Sequence, residues 1–103
     1  MAKTMYSIAL DFNKAKNQAA KLEQAANKIN RQRTRLSEEK QKISHNWKSD
    51  SSGTYLRKLS VVESELASTE KKLRNTATTI RTIAGNTYNA EKTAITLANQ
   101  RKK

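Results

Sequence analysis

With 103 residues, 35% of them hydrophobic, no cysteine, no proline and a formal net charge of +12, the chain lacks the apolar material for a large globular core and the thiols for disulfides or thiolate metal sites. A mean hydropathy of -0.92, and no apolar run near the roughly 20 residues needed to cross a bilayer, exclude a membrane-spanning helix. The remainder, rich in Ala, Lys, Gln and Glu with only two glycines, suits long uninterrupted helices in a single domain, residues 1–103.

The N-terminus, Met1-Ala2-Lys3-Thr4-Met5-Tyr6, runs into a short apolar patch and then Asp11, so no cleavable signal peptide is expected. The first helix is predicted over about 5–47. Stepping back from Trp47 by alternating fours and threes gives Ile43, Lys40, Leu36, Arg33, Ile29, Ala26, Leu22, Ala19, Ala15, Phe12 and Ile8, apolar at every step but Lys40 and Arg33. That spacing averages 3.5 residues, the seam along which two helices pack knobs into holes. Arg33 and Lys40 can lay their methylene stems along such a seam and send their charges outward, and both are candidate contacts for a partner. Lys14, Lys21, Lys28, Arg35 and Lys42, at strict seven-residue spacing, line a basic stripe. The lone His45 has no Cys, Asp or Glu at ligand spacing and reads as a polar residue of the last turn.

A turn is predicted at about 48–53, within His45-Asn46-Trp47-Lys48-Ser49-Asp50-Ser51-Ser52-Gly53-Thr54-Tyr55. Short polar side chains compete there for backbone groups and Gly53 is unrestricted by a β-carbon, so Trp47, Ser49 and Gly53 form the turn motif and Asp50, Ser51 or Ser52 caps the second helix.

That second helix is predicted over about 54–99. Its seam runs Tyr55, Leu59, Val62, Leu66, Thr69, Leu73, Thr76, Ile80, Ile83, Thr87, Ala90, Ala94 and Leu97, broken only by threonines. Leu56 and Val61 lie off this seam and make the hinge end a candidate for burial against another molecule. Glu63, Glu70 and Glu91 share a flanking heptad position with Ala77, Ala84 and Ala98, a place where charge sets pairing. Gly85 interrupts the helix at a cost of about 1 kcal/mol relative to Ala.

Folding about residue 51 sets Trp47 beside Tyr55, Ile29 beside Leu73, Leu22 beside Ile80, Phe12 beside Ala90 and Arg33 beside Thr69. Leu36 then meets Leu66 and Ile43 meets Leu59, so the predicted fold is an all-α antiparallel two-helix hairpin. A single seam removes modest apolar area against an ordering entropy of about 1–2 kcal/mol per residue, so a second hairpin, identical or not, is expected to complete a four-helix bundle.

No nucleophile–base pair, carboxylate dyad, phosphate loop or metal cluster is present, so neither an enzyme nor a cofactor is expected. The charge would suit an acidic protein, an anionic lipid or a nucleic acid. The basic residues are spread around both helices and are not interleaved with aromatics, which disfavours nucleic acid. A membrane-surface helix would need a wider apolar face.

A chain of about one hundred residues with two long helices and a Trp-Xaa-small turn, here Trp47-Lys48-Ser49 with Ser in the place of glycine, resembles the WXG (Trp-Xaa-Gly, ESAT-like) proteins of type VII secretion. The likeness covers the whole chain as architecture and one turn as sequence. It implies hairpins that pair as homodimers or heterodimers, reside in the cytoplasm before export and leave folded without a cleaved signal. The family's C-terminal Tyr-x-x-x-Asp/Glu export signal has a shortened counterpart in Tyr88 and Glu91. The chain is also similar to the small helical partners of LXG-domain toxins, which stack on the toxin's helical N-terminal region. The expected function is therefore that of a secretion-associated helical partner or adaptor, with self-dimerisation or nucleic-acid binding as the alternatives.

Overall fold

The computed structural model describes residues 4–47 and 50–101, and the regular structure within them is entirely helical. Two helices, α1 (Met5–Asn46) and α2 (Asp50–Arg101), form an all-α hairpin. Neither is long and apolar enough in any stretch to cross a membrane.

The start of α1 is set by a reciprocal cap. The Ser7 amide donates to Thr4 Oγ1 and the Thr4 amide donates to Ser7 Oγ, both at 3.0 Å. Two amides that the helix cannot satisfy internally are thereby paired. The start of α2 corrects the predicted turn. Asp50, Ser51, Ser52 and Gly53, expected in the connection, already belong to the helix. Asp50 complements the positive end of the helix dipole. Gly53 keeps an ordinary negative φ, so its freedom is not used. Lys48 and Ser49, and with them the centre of the Trp-Xaa-small motif, lie outside the described residues.

The chain divides into two compact units: a hinge unit, Glu23–Arg74, and an open-end unit, Met1–Leu22 with Asn75–Lys103. Along α1 the burial follows the predicted ladder. Ala26, Ile29, Arg33, Leu36, Lys40 and Ile43 are buried or half-buried in the hinge unit, and Ile8, Phe12, Ala15, Ala19 and Leu22 in the open-end unit. Trp47, the ladder's last rung, is 45% exposed.

Along α2 only part of the predicted seam faces inward. Leu59, Leu66, Leu73 and Ile80 are half-buried, whereas Tyr55, Val62, Thr69, Thr76, Ile83, Thr87, Ala90, Ala94 and Leu97 are exposed. Their places are taken by Ser52, Leu56, Glu63, Glu70, Ala77, Ala84, Tyr88 and Glu91, most of them at the position expected to be a flank. Two causes combine. A straight helix of 3.6 residues per turn drifts by about 20° per heptad against a strict 3.5 repeat. The cations on the α1 seam also need carboxylates, and rotating α2 toward Glu63 and Glu70 supplies them at the cost of exposing Val62.

Candidate docking surface at the hinge

The hinge unit is built around that substitution of ion pairs for apolar rungs. Arg33 Nη1 donates to Glu70 Oε1 at 2.8 Å, and Lys40 Nζ donates to Glu63 Oε1 and to Ser60 Oγ. Arg74 closes the first pair into a network: its Nε donates to Glu70 Oε2 and its Nη2 to Asn27 Oδ1, each at 3.0 Å. Glu70 thus holds both oxygens against guanidinium groups. The hydrogen bond from Arg33, then that from Arg74, hold its carboxyl below the ordinary glutamate value of 4.5. Arg33 therefore lies against Glu70 and not Thr69, and the two cations expected to be partner contacts are committed within the chain.

This network fixes register more sharply than apolar packing does. An aliphatic side chain slides past its neighbour with little loss, whereas an Arg–carboxylate pair displaced by one turn is broken. Arg33 and Lys40 are seven residues apart, as are Glu63 and Glu70, so both pairs close in one alignment, a slip of one turn breaks both, and a slip of a whole heptad can restore only one.

With α2 turned to present its glutamates, a set of large side chains is left facing outward. Tyr55 and Trp47 lie together, ring centroids 6.1 Å apart and planes tilted by 48°. Both are 45% exposed. Two turns along from Tyr55 comes Val62, beside Val61 at 56% exposure. Leu56, expected outside the seam, is half-buried instead and lines a shallow hollow with Lys40, Gln41 and His45. Trp47, Tyr55, Val61 and Val62 thus expose aromatic and branched apolar surface on the hinge unit, the composition of an interface core.

The remaining predicted residues fall elsewhere. Leu22, Ile29, Leu36, Ile43, Leu59, Leu66, Leu73 and Ile80 lie on the inward faces. Ile83, predicted on the inward seam of the second helix, is instead 60% exposed. In the open-end unit Phe12 meets Tyr88 edge-on, centroids 4.9 Å apart, in place of the predicted Ala90. Lys16 Nζ stands over the same ring at 5.3 Å. Tyr88 and Glu91 of the shortened export motif are both half-buried and line an apolar groove of about 270 Å³ with Ile8, Phe12, Ile80 and Ile83. The Tyr88 ring is thus part of the hairpin's packing. Among the described residues no group of three or more His, Cys, Asp or Glu side chains is placed to hold a metal ion.

Sequence reasoning named Glu63 and Glu70 as a flank where charge sets pairing but did not set them against Arg33 and Lys40, and it missed Arg74 as part of the lock and Tyr88 as a half-buried aromatic. The signal for that pairing was present: two cations breaking one ladder at the spacing of two glutamates beside the other. Comparison of the chain with protein-family models, with curated proteins and with solved structures gives no match.

Proposed function

We propose that this chain acts by helix–helix docking, as a small helical partner or adaptor in type VII secretion that presents its hinge end to the helical N-terminal region of a larger LXG-type effector. The observation that carries this reading is the outward placement of Trp47, Tyr55, Val61 and Val62 beside a polar lock that keeps them there. A pair of helices that turns Glu63 and Glu70 inward and leaves a tryptophan and two valines outside is organised to cover them with another molecule. The Trp-Xaa-small sequence Trp47-Lys48-Ser49 resembles the motif of the WXG proteins, which ties the docking mode to export of a folded chain. In this role the protein stands in the cytoplasm before export and travels with its partner.

The basic stripe of Lys14, Lys21, Lys28, Arg35 and Lys42 is exposed throughout and supplies long-range attraction for an acidic partner. It would also attract a polyanion. Binding of duplex DNA at sub-micromolar strength, with affinity falling steeply as salt rises, would favour the nucleic-acid reading instead.

The test is co-purification with the helical N-terminal region of a larger protein encoded beside this chain. The wild type is expected to retain that region, and Trp47→Ala and Val62→Glu to lose it while keeping their helix content. Because Trp47 is 45% exposed, its truncation should cost well under the about 3–5 kcal/mol of a fully buried tryptophan. Retention by both variants would remove the hinge surface from the reading, and absence of any retained effector would remove the reading itself.

A further inference from the structure

The open-end unit contains a concavity that docking through the hinge does not use. Its groove of about 270 Å³ is lined from α1 and from α2, and Ala15 and Ala84 contribute only methyl groups to it. Ile8, Phe12, Ile80 and Tyr88 border the space that these small side chains leave. The volume is just below the roughly 300–1,000 Å³ of small-molecule sites, and apolar walls with a few polar groups are their usual composition. The rotation of α2 accounts for the space. Ala84 is half-buried where Ile83 was predicted, and Ile83 borders the groove while staying 60% exposed.

The charge of the lining runs against that of the chain. Lys and Arg outnumber Asp and Glu by 21 to 9 in the sequence. Among the described residues that line the groove, Asp11 and Glu91 bring carboxylates and none is Lys or Arg. Both carboxylates have interactions of their own within the chain. A carboxylate offers about four lone-pair positions, so a further donor adds to those interactions and need not displace them. The aromatic pair is also suited to positive charge. Phe12 and Tyr88 meet edge to face, and the Lys16 ammonium already stands 5.3 Å from the centre of the Phe12 ring.

We infer that this groove binds a small amphiphilic organic cation, an apolar body carrying an ammonium group. The body lies against Phe12, Ile80 and Tyr88, and the ammonium donates to Asp11 and Glu91. Charge complementarity selects this occupant. A neutral apolar molecule would take water from the two carboxylates and return nothing for it. An anion would be repelled by them. The chain's other cations oppose a positive ligand, but at physiological ionic strength their effect is damped beyond about 8 Å, and the carboxylates on the groove act at contact.

The test is an NMR titration of the full chain, labelled at its isoleucine methyl groups, with 4-phenylbutylammonium. The alcohol 4-phenylbutanol and the anion 4-phenylbutanoate carry the same body with other heads. A Kd on the order of 0.1–1 mM is expected for the ammonium, as for other ligands of about eleven non-hydrogen atoms in an open site. The alcohol should bind about five- to tenfold more weakly, and the anion more weakly still. Shifts should fall on Ile8, Ile80 and Ile83 and spare Ile29 and Ile43 of the hinge unit. Asp11→Asn and Glu91→Gln, with helix content unchanged by circular dichroism, should narrow the gap between ammonium and alcohol without weakening the alcohol. Loss of packing alone would weaken both. Ala84→Leu should fill the groove and abolish binding.

The proposal is overturned if the ammonium gives no saturable shift, if the alcohol or the anion binds as tightly, or if Ile29 and Ile43 shift equally. Undiminished binding by Ala84→Leu overturns it too. So do Ile8 and Ile83 signals that move with protein concentration alone and ignore the ammonium, which would give the groove to another protein chain. Should a variant lose helix, the comparison of the three heads on the wild type still decides. Groove and hinge surface are built from residues of different units, so this proposal and co-purification through the hinge fail separately.

Discussion

The hinge unit and the open-end unit are cut from the same two helices, yet they are held by different physics. In the hinge unit Arg33–Glu70 and Lys40–Glu63 replace apolar rungs, and Arg74 ties Glu70 to Asn27. In the open-end unit Phe12 and Tyr88 pack edge to face, and Ile8, Ala19 and Ala77 are the buried residues. Charge pairs contribute modestly when partly exposed but tolerate little displacement. Apolar and small side chains contribute through area and accept small shifts. The hinge unit is therefore distinguished by a charged register lock, and the open-end unit, where Asp11, Thr78, Arg81 and Glu91 have interactions of their own, by an aromatic pair beside an apolar groove.

That contrast can be broken most severely from the apolar side. Ile8 is only 2% exposed, and Ile8→Ala should destabilise by about 2–3 kcal/mol, the low part of the usual range because it lies near a helix end. Hydrogen exchange resolved along the chain should place the loss in residues 5–22 and 75–101, with residues 23–74 less affected. Equal loss of protection in both units would show that they do not open separately.

Breaking the polar side should cost less and should depend on charge. Glu70→Gln is expected to lower the melting temperature by less than Ile8→Ala, in a manner reduced by salt. The pairing Arg33→Glu with Glu70→Arg should recover part of what each single change loses. Failure of the double variant to recover anything would mean that the pair does not fix alignment.

The same carboxylate sharpens the comparison through pH. Its pKa is lowered in the folded state, so its contribution is complete above the ordinary glutamate value of 4.5 and is lost as pH falls through the lower folded value. Thermal melts between pH 7 and pH 2 should therefore show the wild type losing stability in that acid window, with Glu70→Gln losing less. Parallel profiles for the two proteins would contradict the assignment.

The smallest expected effect separates the two glycines from the roles their type suggests. Both lie in helix at ordinary φ, and a β-carbon at Gly85 would meet nothing within 4 Å, while at Gly53 it would meet Arg57 Nη1 at 3.8 Å, an ordinary contact. Gly85→Ala and Gly53→Ala should each stabilise the chain by about 0.5–1 kcal/mol, read as a higher denaturant midpoint. A loss at Gly53 would restore the view of that residue as part of the turn.

Much of the fold was legible because α1 has one apolar stripe and therefore one way to face its neighbour. From Ile8 to Ile43 every residue that the alternating spacing names is buried or half-buried, the two cations included, although Ala9, Ala20, Glu23 and Ala25 beside the ladder are half-buried as well. In α2 the code is degenerate. Leu59, Leu66, Leu73 and Ile80 belong to either of two adjacent seams, one completed by Tyr55, Val62 and Ile83, the other by Leu56, Glu63, Ala77 and Tyr88. Hydropathy favours the first, and the structure adopts the second. The hinge surface was legible as a region, from Trp47, Val61 and the density of apolar residues near them. Its membership was not, because which of Leu56 and Val62 faces outward depends on the rotation of α2.

From its residues alone, then, this chain determines that it is helical, that it folds back near residue 50, and which stripe of α1 is covered. Those properties follow from local propensity and from a period that admits one solution. Only the tertiary structure decided the rotation of α2. That angle balances half-buried cations on one helix against carboxylates and valines on the other, a comparison that exists only once the two helices are side by side.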